Sequence, residues 1–308
     1  MKTQITSAKK RGFTLMELMV AMAITTIIVT VLVSITSIAL DTWNRSRAEL
    51  RASRQAKSMV DSMARDFEAL VTRRGNTNEW LSAISAQTPP GDRLVSTSAS
   101  KLIFFTAATD RYNGEVGNVT NNKGGDVSCV AYELEYKDPI DGNSGKFDTF
   151  ILNRKLVNPN EAFEKLLGKD NLETAFATVS GNLNDPTNFV CENIFQFTVT
   201  FQVQVAQTVG GSTTLVNVPV TVGKSSSEKI AKEFRITGAG VLAEISGSAV
   251  TPEQLKAGRV TAVEISLTVI SDFGVDQLRT RTFSGTQQSE FLAKNSYQYT
   301  KMVQLPSM

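Results

Sequence analysis

From Leu18 to Leu40 the chain runs 23 residues without a charge. At a rise of about 1.5 Å per residue that is roughly 35 Å of helix, enough to cross a hydrocarbon core of about 30 Å. Core helices of soluble proteins rarely go so long without a charged residue. Twelve residues, MKTQITSAKKRG, precede the apolar segment Phe13–Leu40 and contain Lys2, Lys9, Lys10 and Arg11 but no acid. A secretory signal peptide has an apolar region of only about 7–15 residues, so the length argues against one, although Ser37-Ile38-Ala39 offers a small-x-small cleavage site. Basic residues flank the span on both sides, with Arg45, Arg47, Arg51, Arg54 and Lys57 following it, so their count does not set its orientation.

Composition narrows the function classes. The chain has 308 residues, a formal net charge of +2, no histidine and two cysteines. Without histidine there is no Ser-His-Asp or Cys-His catalysis and no imidazole metal ligand. Cys129 and Cys191 lie 62 positions apart and form no CxxC pair. The balanced charge points to no nucleic-acid partner. The basic run Arg45–Lys57 lacks interleaved aromatics and reads as a solvated face.

The one charge inside the apolar segment is Glu17. A carboxylate in the membrane costs about 2.5–3.5 kcal/mol on insertion scales and calls for a partner. It is either a helix-end group in the headgroup layer or one that pairs with a nearby cation. Cleavage between Gly12 and Phe13 would create such a cation, a free amine on Phe13 about one helical turn from Glu17 or from its equivalent in a neighbouring subunit.

Lys10-Arg11-Gly12-Phe13-Thr14-Leu15-Met16-Glu17 resembles the processing site of type IV pilins and the pseudopilins of type II secretion: a short basic leader ending in Gly, Phe-Thr-Leu-x-Glu, then a long apolar helix. The resemblance implies that a prepilin peptidase cuts after Gly12 and methylates the Phe13 amine. It also implies that Glu17 pairs with that amine in another subunit, and that pilin or pseudopilin subunits pack through their N-terminal helices. The implied location is the cytoplasmic membrane, with one pass and an extracytoplasmic C-terminal domain. One departure is the lack of the proline that many members carry midway along the span. Loss of the leader takes Lys plus Arg from 32 to 28 against 30 acids, a mature side-chain charge of −2.

The expected fold class is α+β: a long N-terminal transmembrane helix that continues into a stalk packed on an antiparallel β-sheet head, as in pilins. The expected divisions are a leader (1–12), a filament-core helix (13–40), an amphipathic stalk (41–74) and a β-rich domain (75–308). In the stalk Met59, Val60, Met63, Phe67, Leu70 and Val71 recur at helical spacing and predict a buried stripe. Asp61 and Arg65 stand at i and i+4, and Gly75-Asn76 predicts the helix stop. A helix of about 60 residues would be roughly 90 Å long.

Alternation predicts strands at 101–107, 130–137, 149–156, 194–205, 213–222, 232–236 and 260–270, with short helices at 160–167 and 252–257. Thr88–Gly91, Asn121–Gly125 and Gly210–Ser212 read as turns, and 207–236 as an inserted strand pair. The Ala131–Tyr136 strand, the one ending Asn153-Arg154-Lys155-Leu156, and the late pair are similar to those of J-type minor pseudopilins. The pilin-like proteins of Verru_Chthon cassettes are another resemblance.

Cys129 and Cys191 allow a disulfide in an oxidising compartment or two buried thiols. Asp138, Asp141, Asn143 and Asp148 make an oxygen-rich loop that suits calcium, but EF-hand spacing is not met and a hairpin turn explains it better. Gly238-x-Gly240 lacks the residues of a nucleotide loop, and Glu161, Glu164 and Lys165 read as an exposed helix face. No cofactor is expected. The functional expectation is a non-enzymatic, minor filament subunit. The alternative is an uncleaved, single-pass β-domain that binds a surface ligand or polysaccharide; a tethered hydrolase has no residue pair to recommend it.

Overall fold

A computed structural model describes residues 14–85, 100–107, 126–138, 148–209, 212–223, 230–245 and 250–306. Two units are distinguished, Met1–Arg47 and Ala48–Met308. Helix α1, Leu15–Glu68, begins in the first and ends in the second. No proline or glycine interrupts it, which is why it runs unbroken.

In the first unit the large apolar side chains of α1 are exposed, Leu15 through Leu40. Its threonines are internally satisfied: Thr25, Thr26, Thr30, Thr36 and Thr42 each donate at 2.8 Å to the carbonyl four residues back. Such back-bonding hides hydroxyls that would otherwise need water. The helix is long and apolar enough to cross a membrane.

The second unit is built on a sheet that contains, among the described residues, β1 (Glu79–Ser85), β2 (Ser100–Thr106), β3 (Ser128–Lys137), β4 (Thr149–Val157), β5 (Phe189–Glu192), β6 (Ile194–Val209), β7 (Ser212–Val222), β8 (Ile230–Thr237), β9 (Gly240–Ile245), β10 (Arg259–Ile270) and β11 (Ser296–Gln304). The order is β11-β10-β6-β7-β8-β1-β2-β3-β4-β5, with β9 on β8. Every pairing is antiparallel except a two-residue parallel seam of β7 with β8 at Thr221↔Ile230 and Val222↔Ala231.

The strand period of two sorts the side chains into two cores. Leu81, Leu102, Phe104, Val130, Tyr132, Phe150 and Leu152 share one core with Phe197, Phe201, Ile265 and Leu267 and with Met59, Met63 and Phe67 of α1. Phe67 stacks on Phe104 at 4.4 Å and Phe201 on Phe234 at 4.0 Å. On the opposite face Trp80, Ile103, Phe105, Cys129 and Ala131 are covered by Ala162, Leu166, Leu172 and Phe176. These come from the segment after β4: α2 (Pro159–Glu161), the π-turn Ala162–Leu166 and α3 (Leu172–Phe176). Lys155 pins that segment with its ammonium on the carbonyls of Ser180 and Gly181.

Ion pairs tie α1 to both terminal strands of the sheet. Arg51 meets Glu192 of β5 at 2.8 Å, and Lys301 of β11 meets Asp61 at 2.8 Å. The Lys301 bond across to β11, with smaller pulls from Lys57 and the expected Arg65, holds the Asp61 carboxyl below its usual range. The helix also stops at Glu68, before the expected Arg74. Leu70 bridges Thr106 and the Val71 N–H donates to Phe105 O at 2.9 Å, so the end of β2 takes over the chain. The buried stripe starts earlier than its large residues suggest, at Ala52 and Ala56.

Seven expected strands are present, each within a few residues of its limits, as are the short helices expected at 160–167, where α2 and the π-turn stand, and at 252–257, α4 (Pro252–Ala257). The turns expected at 88–91 and 121–125 lie outside the described residues, as does that at 210–212 except for Ser212, the first residue of β7. Strands β1, β5, β9 and β11, and helices α5 (Asp272–Thr280) and α6 (Gly285–Asn295), were not expected from the sequence.

Candidate functional site

Glu17 stands three residues after Thr14 at the start of α1. Its Oε2 accepts the Thr14 backbone N–H and the Thr14 hydroxyl, each at 2.9 Å, and the Glu17 N–H donates to Thr14 Oγ1 at 3.2 Å. This reciprocal arrangement is a capping box, which satisfies helix N-terminal donors that have no partner within the helix. It also sets a carboxylate at the positive end of the helix dipole. From the sequence, Glu17 stood out by its charge within the apolar run and by its place in the pilin-like motif. The signal for its second role was present, since Thr-x-x-Glu before an apolar run is a helix-start signature. Gly12 and Phe13 lie outside the described residues.

Both bonds to Thr14 fall on one carboxylate oxygen. A carboxylate has about four lone-pair sites, so the second oxygen can accept an ammonium group without opening the box. Capping and counter-ion pairing are thus compatible in one side chain. Residues 7–33 match the prokaryotic N-terminal methylation motif. The match supports a type IV pilin-like family, and with it processing by prepilin peptidase and association with pilin subunits and membrane. The exposed apolar stretch of α1 fits a membrane-anchored protein. No curated protein and no solved structure matches the chain.

The remaining sequence candidates separate in space. Cys129 on β3 and Cys191 on β5 are free, buried thiols. Strand β4 lies between them, and their β4 partners, Val157 and Leu152, differ in parity. Two strand spacings of about 4.8 Å already exceed the roughly 7 Å limit for a bridge. The possible disulfide is therefore not formed, and the alternative of two buried thiols holds. Burial pushes both thiols up, Cys191 to about 12.

Of the calcium candidates, Asp138 is buried at the end of β3 and Asp148 precedes β4. Asp141 and Asn143 lie outside the described residues. β3 and β4 pair as a hairpin from Lys137↔Thr149 onward. Among the described residues no group of three or more Cys, Asp or Glu could hold a metal. Glu161 and Lys165 pair at 2.7 Å, and both also bind the 178–180 backbone, so this helix face is partly engaged.

A buried polar cluster was not foreseen from the sequence. Arg154 of β4 forks onto Asp66 of α1, Nε to Oδ2 and Nη2 to Oδ1, both at 3.0 Å. The Tyr132 hydroxyl donates to the same carboxylate and receives Arg154 Nε at 2.9 Å. Burial, followed by the Asp66 charge, pushes the Tyr132 hydroxyl well above its ordinary range. A proton held so firmly suits a structural clamp rather than acid–base work. The legible signals were an arginine on the apolar phase of β4 and an acid beside the helix stripe.

Proposed function

We propose that this chain is a structural subunit of a type IV pilus-like filament or a type II secretion pseudopilus. It is cut after Gly12, methylated on the Phe13 amine and assembled through side-by-side packing of its apolar helices. The head faces the extracytoplasmic side of the cytoplasmic membrane on a single span, and the role is assembly rather than catalysis. A bulky head of β-strands suits a minor subunit present in few copies, as in the J-type pseudopilins.

The observation that carries this reading is Glu17, already fixed by Thr14 at the helix start and still able to accept a cation. Placed in lipid, that oxygen recruits the neighbouring subunit's new amine, since an unpaired carboxylate there is costly. Growth of the filament then exchanges an uncompensated charge for an ion pair. Glu17→Gln separates the two roles of this side chain, because glutamine at the third helical position retains the capping box and drops the charge. Cleavage of the variant is expected to be normal and its incorporation into filaments strongly reduced, read by immunoblotting of sheared filaments. Wild-type incorporation would refute the pairing.

A further inference from the structure

Strands β6 and β7 pair from Val199↔Val222 to Val209↔Ser212. Strand β10 covers the other side of β6 only as far as Gln204, and β8 meets β7 only at Thr221 and Val222. Beyond those points the hairpin is a two-stranded arm, and among the described residues nothing pairs with the outer edge of β7 from Ser212 to Val220. Every side chain from Ser212 to Asn217 is exposed, including Leu215 at 67%. No charged residue occurs from Asn193 to Gly223. An exposed edge is a template for another strand, and natural proteins ordinarily blunt it with lysine, proline or a short strand. The only such device here is Pro219.

Two residues separate Val209 from Ser212, so that closing pair is a hydrogen-bonded one. Alternation then turns the backbone N–H and C=O of Thr213, Leu215 and Asn217 away from β6. Pro219 falls in the same phase, where its missing N–H costs β6 nothing. The outward set is symmetrical about Leu215: polar, apolar, polar, then a stop. A second copy of the same strand, antiparallel to the first, sets Leu215 against Leu215 and Thr213 against Asn217. Three outward pairs exchange about six hydrogen bonds, and no like charges oppose one another.

We infer that the Ser212–Val218 edge of β7 pairs with the same edge of a second copy of this chain about a two-fold axis at Leu215. Such a contact is isologous and closes on itself. A seven-residue strand spans only about 23 Å, so the interface is small, and two copies held in one membrane gain the local concentration it needs. The inference does not depend on cleavage or methylation of the N-terminus.

The test uses the full chain in lipid vesicles with Leu215→Cys. Cys129 and Cys191 are buried, so the unmodified chain sets the background. Mild oxidation is expected to give a disulfide-linked dimer from Leu215→Cys, and none above background from Thr213→Cys, whose symmetry mate lies four residues away along the strand. Adding Asn217→Pro removes only an outward N–H and is expected to cut cross-linking at least tenfold with an unchanged circular-dichroism melt. If that melt does change, Thr213→Cys and Asn217→Cys chains mixed in the same vesicles decide, the disulfide between the two variants being expected because the two-fold axis sets residue 213 against residue 217. Absence of the disulfide-linked dimer from Leu215→Cys, cross-linking undiminished by Asn217→Pro, equal cross-linking from Thr213→Cys alone, or absence of the disulfide between mixed Thr213→Cys and Asn217→Cys chains would each overturn the pairing.

Discussion

Asp66 is the residue on which the junction of helix and sheet turns. Its carboxylate is buried and takes a two-pronged bond from Arg154 and another from Tyr132. Removing one member leaves an uncompensated buried charge, which costs about 3–5 kcal/mol. Asp66→Ala is therefore expected to lower the unfolding free energy of the head by about that amount in denaturant titrations. Arg154→Lys is expected to recover little, because an ammonium lacks the planar fork. A loss under about 1 kcal/mol would show that the cluster is solvated, as exposed pairs are.

Two other carboxyls predict a pH response. Burial raises the pKa of Glu79, only partly offset by the Leu172 N–H and Arg235, and it raises that of Glu133 against the pull of Lys101. A carboxyl whose folded pKa is raised binds its proton more tightly when folded. Its contribution is therefore greatest at low pH and is lost as pH rises through the folded value. The melting temperature is expected to rise as pH is lowered from neutral toward the ordinary glutamate value of about 4.3. The double variant Glu79→Gln, Glu133→Gln should flatten that slope. An equally steep slope in the double variant would assign the response elsewhere. At lower pH Asp61 and Glu161, whose pKa values are lowered, act in the opposite sense.

Among the elements, the C-terminal part of α1 behaves as a piece of the head's core. Phe67 is fully buried and stacked on Phe104, whereas Leu50 is exposed. Phe67→Ala is expected to cost about 3–5 kcal/mol and Leu50→Ala close to nothing, both read from thermal melts. Equal effects would mean that this stripe is not the packed face. The large residues of the stripe were legible in the sequence. Ala52 and Ala56 were not, since alanine carries little amphipathic signal.

The strands followed the same division. β6 and β10 alternate cleanly because one face is core and the other polar. β1 buries Trp80 on one face and Leu81 on the other, so its sequence shows no alternation. β5 has four residues, and β11 is an edge strand in which only Val303 is buried, with Tyr299 partly buried against the same core. α6 did carry a readable signal, the Ser284-x-x-Gln287 capping box. The Asp66–Arg154 clamp joins residues 88 positions apart and could not be paired before the fold was known.

At the scale of the whole molecule, the proposed assembly rests on one short motif, matched over residues 7–33. On the proposed reading, the Gly12–Glu17 stretch sets where the chain is cut and which side chain meets the new terminus. The apolar helix that follows is the packing surface this proposal requires, and its large side chains are exposed. Glycine at position 12 admits close approach of a protease to the backbone, so Gly12→Val is expected to leave the leader attached, visible as a slower band in membrane fractions. Efficient processing of that variant would place the cut elsewhere. The most direct measurement is the intact mass and N-terminal sequence of the protein purified from membranes. Phe13 with one added methyl group is the predicted terminus, and a chain starting at Met1 or near Leu40 would contradict the filament account.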